Sequence, residues 1–148
     1  MSFILKYFND LSAPELYDLL QLREEVFQLE QNCLYKDLDG KDRKCWHLLH
    51  YQDHELVAYA RLVPEGVSYE GYASVGRVVS KTKYRKEGYG RMLMKEAMKQ
   101  VQVIFPGIPV KISAQAYLQQ FYESFGFVKI SEPYMEDDIP HIAMEFTD

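Results

Sequence analysis

The run Arg85-Lys86-Glu87-Gly88-Tyr89-Gly90 is the stretch of this chain best suited to chemistry. It follows an apolar, strand-like segment from Val75 to Val79 and opens a helix-like one from Arg91 to Val103. A strand that turns through glycines into a helix N-terminus gathers unpaired backbone N–H groups at one point, where the helix dipole also favours negative charge. Gly88 and Gly90 let the backbone turn tightly and approach a ligand that a Cβ would push away. The expected guest is a phosphate or pyrophosphate. Lys81, Lys83, Arg85, Lys86 and Arg91 cluster beside the turn against a formal net charge of −5, which favours a multiply phosphorylated cofactor over a merely solvated surface. Two phosphate motifs are excluded. No Lys-Ser/Thr follows the glycines as a P-loop requires, and Leu93 stands where a dinucleotide-binding G-x-G-x-x-G needs its third glycine.

The elements that position this turn alternate along the chain. Phe3 to Phe8 reads as a strand, and Ser12-Ala13-Pro14-Glu15 is a capping box opening a helix that carries Leu16, Leu19, Leu20, Val26 and Phe27. The acidic stretch from Asp37 to Asp42 is a loop. Cys45 to Tyr51 and Leu56 to Val63 read as a hairpin, and Tyr72 to Val79 is the strand entering the glycine turn. A helix from Gly88 to Val103, a short strand from Val110 to Ala114 and a helix from about Tyr117 to Phe125 follow, the last stopped by Gly126. Phe127 to Ile130 and His141 to Phe146 are expected to pair as closing strands. The sum is an α+β (mixed α/β) fold in one domain spanning residues 1–148.

Composition sets limits on function. Hydrophobic residues at 47% and charged ones at 26% suit a folded globular core, and no apolar run approaches a membrane span. With no signal-peptide pattern, Cys33 and Cys45 read as reduced thiols of a cytoplasmic protein, and they fit no zinc spacing. Asp37-x-Asp39-Gly40 lacks the ligand spacing of a calcium loop, so no metal is expected. The acidic balance argues against nucleic acid as a partner.

The residue pattern R-x-x-G-x-G after a strand resembles the pyrophosphate-binding signature of the GNAT superfamily of acyl-coenzyme-A-dependent N-acetyltransferases. A second motif agrees: the segment from Ala114 to Phe127, with Phe121-Tyr122-x-x-Phe125-Gly126-Phe127, is similar to that superfamily's A-x-x-F-Y-x-x-F-G-F. Leu22-Arg23-Glu24-Glu25-Val26-Phe27 leading into Glu30-Gln31-Asn32-Cys33, then Asp37 to Asp42, then Glu136 to Ile142, resemble its ElaA-type branch. The resemblance covers about residues 16 to 144 and implies a mostly antiparallel sheet, splayed at the strand before the glycine turn and flanked by helices.

It also implies roles. Acetyl-CoA becomes the co-substrate, with the backbone of Arg85, Lys86, Glu87, Gly88, Tyr89 and Gly90 on its pyrophosphate and Arg91 beside them. Val78, Val79 and Ser80 would run along the pantetheine arm, with Gln115 as a further contact where many members carry Asn. Tyr122 would be the acid that protonates the departing thiolate; by spacing alone, Leu118, Phe121, Tyr122 and Phe125 form a core stripe. The acceptor amine must be neutral to attack, which costs roughly 4–5 kcal/mol for an alkyl amine of pKa ≈ 10.4 at pH 7. Many members place a Glu on the strand before the turn, where this chain has Arg77. His141 is the first candidate for the base and Glu30 the second.

Arg23, Glu30 and Arg77 are candidates for acceptor binding, Arg23 and Glu30 sharing a helix face by their seven-residue spacing. Two pocket chemistries stay open: acidic loops (Asp37, Asp39, Asp42; Glu136, Asp137, Asp138) selecting a cation, or Arg61 and Arg77 selecting a carboxylate. The expected partner is a small-molecule or peptide amine, in a monomer or homodimer. Two functions remain: N-acetyltransfer directly to an amine, or a non-catalytic module that senses acyl-CoA.

Overall fold

The computed structural model describes residues 2–30, 36–81, 83–84 and 88–147, with the side chain of Glu30 left out. The glycine turn's Arg85, Lys86 and Glu87 therefore lie outside the described residues, as do Gln31, Asn32 and Cys33.

Two four-stranded sheets carry the chain. The first runs β1 (Ile4–Tyr7), β2 (Trp46–Gln52), β3 (Glu55–Val63), β4 (Ser74–Ser80), all antiparallel. The second is centred on β8 (Ile139–Phe146), with β5 (Val110–Gln115) on one edge and β6 (Val128–Lys129) and β7 (Tyr134–Glu136) on the other. The sheets meet at one parallel bridge, Ala73–Val110, where Ala73 N–H donates to Pro109 O and Lys111 N–H to Ala73 O, each at 2.9 Å. Beyond it the described parts of β4 and β5 belong to separate sheets. This is the expected splay.

Side-chain alternation along β2 and β3 sorts the core into two layers. Leu48, Ala58, Ala60 and Leu62 face α2 (Tyr89–Ile104), whose Leu93, Met94, Ala97, Met98 and Val101 recur at helical spacing and are buried. Leu49 and Tyr59 face the other way, against Leu19, Leu22 and Val26 of the first helical segment. Fully burying each large apolar side chain is worth about 1.5–3 kcal/mol, so these two faces supply most of the stability.

The first helix, α1 (Ala13–Arg23), starts as expected. Ser12 Oγ accepts the Glu15 N–H at 3.1 Å, and Glu15 Oε1 accepts the Ser12 N–H at 2.9 Å. At Glu24 the chain changes to a π-helix through Glu30. The wider turn rotates every later residue relative to an α-helix. The seven-residue spacing that put Arg23 and Glu30 on one face is an α-helix rule, and the Glu30 side chain lies outside what is described, while Val26 and Phe27 are carried onto the cavity described below.

Beyond the 3-10 turn Ala116–Leu118, α3 (Gln119–Glu123) is short, and its end is held tightly. Gly126 N–H donates to Glu123 O at 3.0 Å and Phe127 N–H to Tyr122 O at 3.3 Å, a Schellman closure around Gly126 at φ 97°. A Cβ on Gly126 would also lie 3.0 Å from the Phe146 ring. Strand β7 was not expected. Its three residues carry no apolar run, but Asp137 and Asp138, at φ 51° and 62°, form a two-residue hairpin turn that pairs Tyr134 with His141. Among the described residues, no helix is long and apolar enough to cross a membrane.

Candidate active site

The splay opens a cavity of about 510 Å³ between β4 and β5. Residues 75–80 of β4 form one wall and residues 112–115 of β5 another. Val26 and Phe27 of the π-helix, Gly90 and Leu93 of α2, Tyr117 to Tyr122 in part, and Glu136, Asp137, Ile139 and His141 of the β7–β8 hairpin complete it. Val78, Ser80, Arg77 and Gln115 are in this lining. Val79 also lines it, but its side chain packs in the α1-side core, so its backbone is what it offers.

Helix α2 points its N-terminus at the splay. Gly88 caps it at φ 80°, a conformation suited to glycine, and among the described residues no side-chain cap bonds its first turn. At Gly90 a Cβ would meet no atom of the described residues within 4 Å, so their packing does not require glycine there. Tyr89 turns its side chain away, its hydroxyl donating to Gln52 Oε1 and its ring beside Tyr84 and His50, so only its main chain faces the turn. Arg91 lies over the Phe121 and Phe125 rings at 5.6 and 5.1 Å and donates to Ser124 Oγ at 3.2 Å, tying the glycine turn to α3. Lys81 and Lys83 are less available than expected: both pair with Glu55, at 2.6 and 3.2 Å.

Tyr122 projects from α3 into the cavity, with Phe121 and Phe127 edge-on to its ring at 5.1 and 6.0 Å. Burial, with a smaller contribution from Tyr117, pushes its hydroxyl up to about 12. Among the described residues no hydrogen bond to that hydroxyl is seen. The ring thus packs as the stripe predicts while the residue also lines the cavity.

His141 is 7% exposed. Its Nδ1–H donates to Ile139 O at 2.7 Å, and its Nε2 lies 3.3 Å from Glu136 Oε2. Ser113 and Tyr134, which sequence reasoning missed, stand beside it. Their signal was faint: Ser113 falls with Lys111 and Gln115 on the polar side of β5's alternation, and the Asp-Asp turn alone hints that Tyr134 pairs back.

The arginines are placed differently from the expectation. Arg23 is fully buried and does not line the cavity. Its Nε bonds Asp37 Oδ2 at 2.9 Å and its Nη1 bonds Asp42 Oδ1 at 2.8 Å. Arg61 grips Asp39 with both Nη atoms, at 2.9 and 2.8 Å, and reaches Asp42 Oδ1 at 3.0 Å. Arg77, on a bulge of β4 at φ 49°, pairs with Asp37 at 2.8 Å and Asp39 at 3.5 Å. His47 closes the cluster, with Nε2–H donating to Asp42 O at 2.9 Å and Nδ1 accepting from Tyr59 at 2.7 Å. Burial by itself would raise Asp39 and Asp42; the arginine hydrogen bonds outweigh it and hold both well below the usual carboxylate range. Arg23 therefore serves the loop rather than an acceptor. The two pocket chemistries expected of Asp37, Asp39 and Asp42 and of Arg61 neutralise each other, leaving Glu136 and Asp137 as the carboxylates that line the cavity among the described residues.

Cys45 is buried, donates to Lys41 O at 3.1 Å and is pushed up to about 11, chiefly by burial. It does not line the cavity. No group of three or more His, Cys, Asp or Glu gathers as metal ligands among the described residues.

A splayed α+β sheet with an uncapped helix N-terminus at the opening is the architecture of an acyl-CoA acyltransferase, and the comparisons agree. Residues 10–147 match the acetyltransferase (GNAT) domain, and the chain belongs to that family. It is 44% identical to protein ElaA of Escherichia coli over 138 residues, covering 92% of this chain and 90% of the relative. The crystal structure of E. coli ElaA superposes with a TM-score of 0.92, covering 99% of both chains. That of an acyl-CoA N-acyltransferase from Pseudomonas aeruginosa does so with 0.94, at 44% identity and again 99% of both chains. The chain thus falls in the ElaA-like branch. A coenzyme A complex of an aminoglycoside 6'-N-acetyltransferase, 17% identical with a TM-score of 0.70 over 97% of this chain and 96% of the other, shares the fold.

Proposed function

We propose that this protein is an N-acetyltransferase that moves an acetyl group from acetyl-CoA directly to a primary amine. The observation that carries the reading is Tyr122: its ring is packed and its hydroxyl opens on the cavity with no partner among the described residues, where a departing sulfur could meet it. The first-turn amides of α2 and the open space at Gly90 fit a pyrophosphate, and the β4 backbone at Val78, Val79 and Ser80 fits the amide-bearing pantetheine arm. Arg85, Lys86 and Glu87 belong to the same proposal on the strength of the motif.

In the reaction Tyr122 donates its proton to the departing sulfur. His141 and its partner Glu136 supply the proton-accepting end, with Glu30 as a further candidate base, and Arg77 shapes the acceptor wall. Cys45, buried and held protonated, offers no acyl-enzyme route, which supports direct transfer.

The test is thiol release from acetyl-CoA by the purified protein with spermidine, glucosamine, lysine and a lysine-containing peptide, at pH 7 and 9. Release that depends on the amine is the expected result. No release with any amine, alongside measurable CoA binding, would replace this reading with that of an acyl-CoA sensor.

A further inference from the structure

Three strands of the second sheet bring polar side chains together around one carboxylate. Glu136 ends β7 and lines the cavity with its side chain 49% exposed. Its Oε1 accepts from the Ser113 hydroxyl of β5 at 3.3 Å, and its Oε2 faces His141 Nε2 of β8 at 3.3 Å. With Ser113 donating to Glu136, the Tyr134 hydroxyl donates to Ser113 Oγ at 2.6 Å. The Tyr134 ring stacks on the imidazole of His141, its partner in the β7–β8 register, at 6.4 Å. The hairpin that sets this register turns through Asp137 and Asp138 at positive φ, a conformation that costs a non-glycine residue strain and that recurs at functional sites.

The accessibility of the two titratable groups differs. His141 is nearly buried and its Nδ1–H is committed to Ile139 O, so an incoming amine has little access to the ring. Glu136 presents half its surface, bears the charge an ammonium seeks, and is held from Ser113 and from His141. We propose that Glu136 docks the acceptor as a protonated primary amine and takes its proton, with His141, Ser113 and Tyr134 as positioning residues. This rests on the acetyltransfer reading above.

The step balances. An N–H bond of the ammonium breaks as an O–H bond forms on Glu136. The freed lone pair makes the C–N bond to the thioester carbonyl carbon, the C–S bond breaks, and the sulfur takes the Tyr122 proton. The second amine proton, lost as the amide forms, restores Tyr122, and Glu136 returns its proton to water at its exposed face. Ammonium and thioester become amide, thiol and one released proton. The carboxylate that attracts the cation is thus also the group that receives its proton at the reacting centre.

The experiment measures thiol release from pH 6 to 10, using whichever of spermidine, glucosamine, lysine or the lysine peptide turns over fastest. Glu136→Gln is expected to lose on the order of 10²-fold in kcat/KM at pH 7. The deficit should shrink as pH rises and free amine accumulates, while the CoA dissociation constant measured by calorimetry stays put. Glu136→Asp should recover part of the loss. His141→Gln should lose less than Glu136→Gln, mainly in kcat, with the same pH trend. A Glu136→Gln deficit that is absent or equal at every pH, or a larger loss in His141→Gln, overturns this assignment alone. A wild type silent with every amine overturns the acetyltransfer reading and this assignment with it.

Discussion

The two flanks of β4 carry similar chemistry and reach opposite ends. On the α1 side, Arg23, Arg61 and Arg77 meet Asp37, Asp39 and Asp42, and the described geometry pairs each charge within the chain. On the β5 side, the uncapped amides of α2, the hydroxyl of Tyr122 and the half-exposed carboxylate of Glu136 look into an open cavity. Residue type does not distinguish the two sets; what does is whether the partner is inside the chain. A charge answered internally builds a wall, and a polar group left unanswered next to a cavity is where a ligand is expected. Arg77 belongs to both, because its side chain serves the network while its bulged backbone forms part of the cavity.

Breaking the paired flank should give the largest loss of stability. Arg61→Met takes half the arginine partners from the buried Asp42 and from Asp39 beside it, and denaturant unfolding should show a loss of about 3–5 kcal/mol. Acid should strain the same flank. Asp39 and Asp42 sit below their ordinary value of 3.8 in the fold, so the stability they contribute is complete above that value. It is then lost as pH falls from about 4 toward the lowered folded values. Thermal midpoints measured from pH 6 to pH 2 should fall most steeply below pH 4, and the slope should flatten in Arg61→Met.

Gly126→Ala should come next, at about 2–4 kcal/mol, from an unfavourable positive φ and a Cβ pressed on Phe146. Because the Schellman closure anchors Tyr122, the folded fraction should also turn over more slowly; an unchanged rate would mean the closure does not position the tyrosine.

The open flank should respond in the reverse sense. Gly90→Ala fills space that the chain itself does not use, so stability should hold or rise by up to about 1 kcal/mol through helix propensity. Calorimetry should at the same time show weaker CoA binding. A stable variant with unaltered CoA affinity would remove Gly90 from the cradle.

Much of the fold was legible in the chain. The capping box at Ser12, the apolar stripe of α2, the hairpin of β2 and β3, and the stop at Gly126 all follow from local chemistry that the structure repeats. The splay was legible through the motif rather than through periodicity. The misses lie where tertiary pairing overrides local rules. A π-helix after Glu24 cannot be read from α spacing, and the three-residue β7 has too few residues to show a period. Arg23 and Arg61 had the composition of an acceptor site, and only the fold brings Asp37, Asp39 and Asp42 against them. Ser113 and Tyr134 become a group with Glu136 and His141 only through the β5–β8 and β7–β8 registers.

The most direct measurement pairs turnover with cofactor binding in Tyr122→Phe, which removes one hydroxyl and keeps the ring's packing. The account predicts amine-dependent thiol release slowed by roughly 10²-fold to 10⁴-fold, with the thermal midpoint and the CoA dissociation constant close to wild type. Turnover at the wild-type rate in a folded, CoA-binding Tyr122→Phe would contradict it, and would show that the unpartnered hydroxyl in the cavity is not the acid.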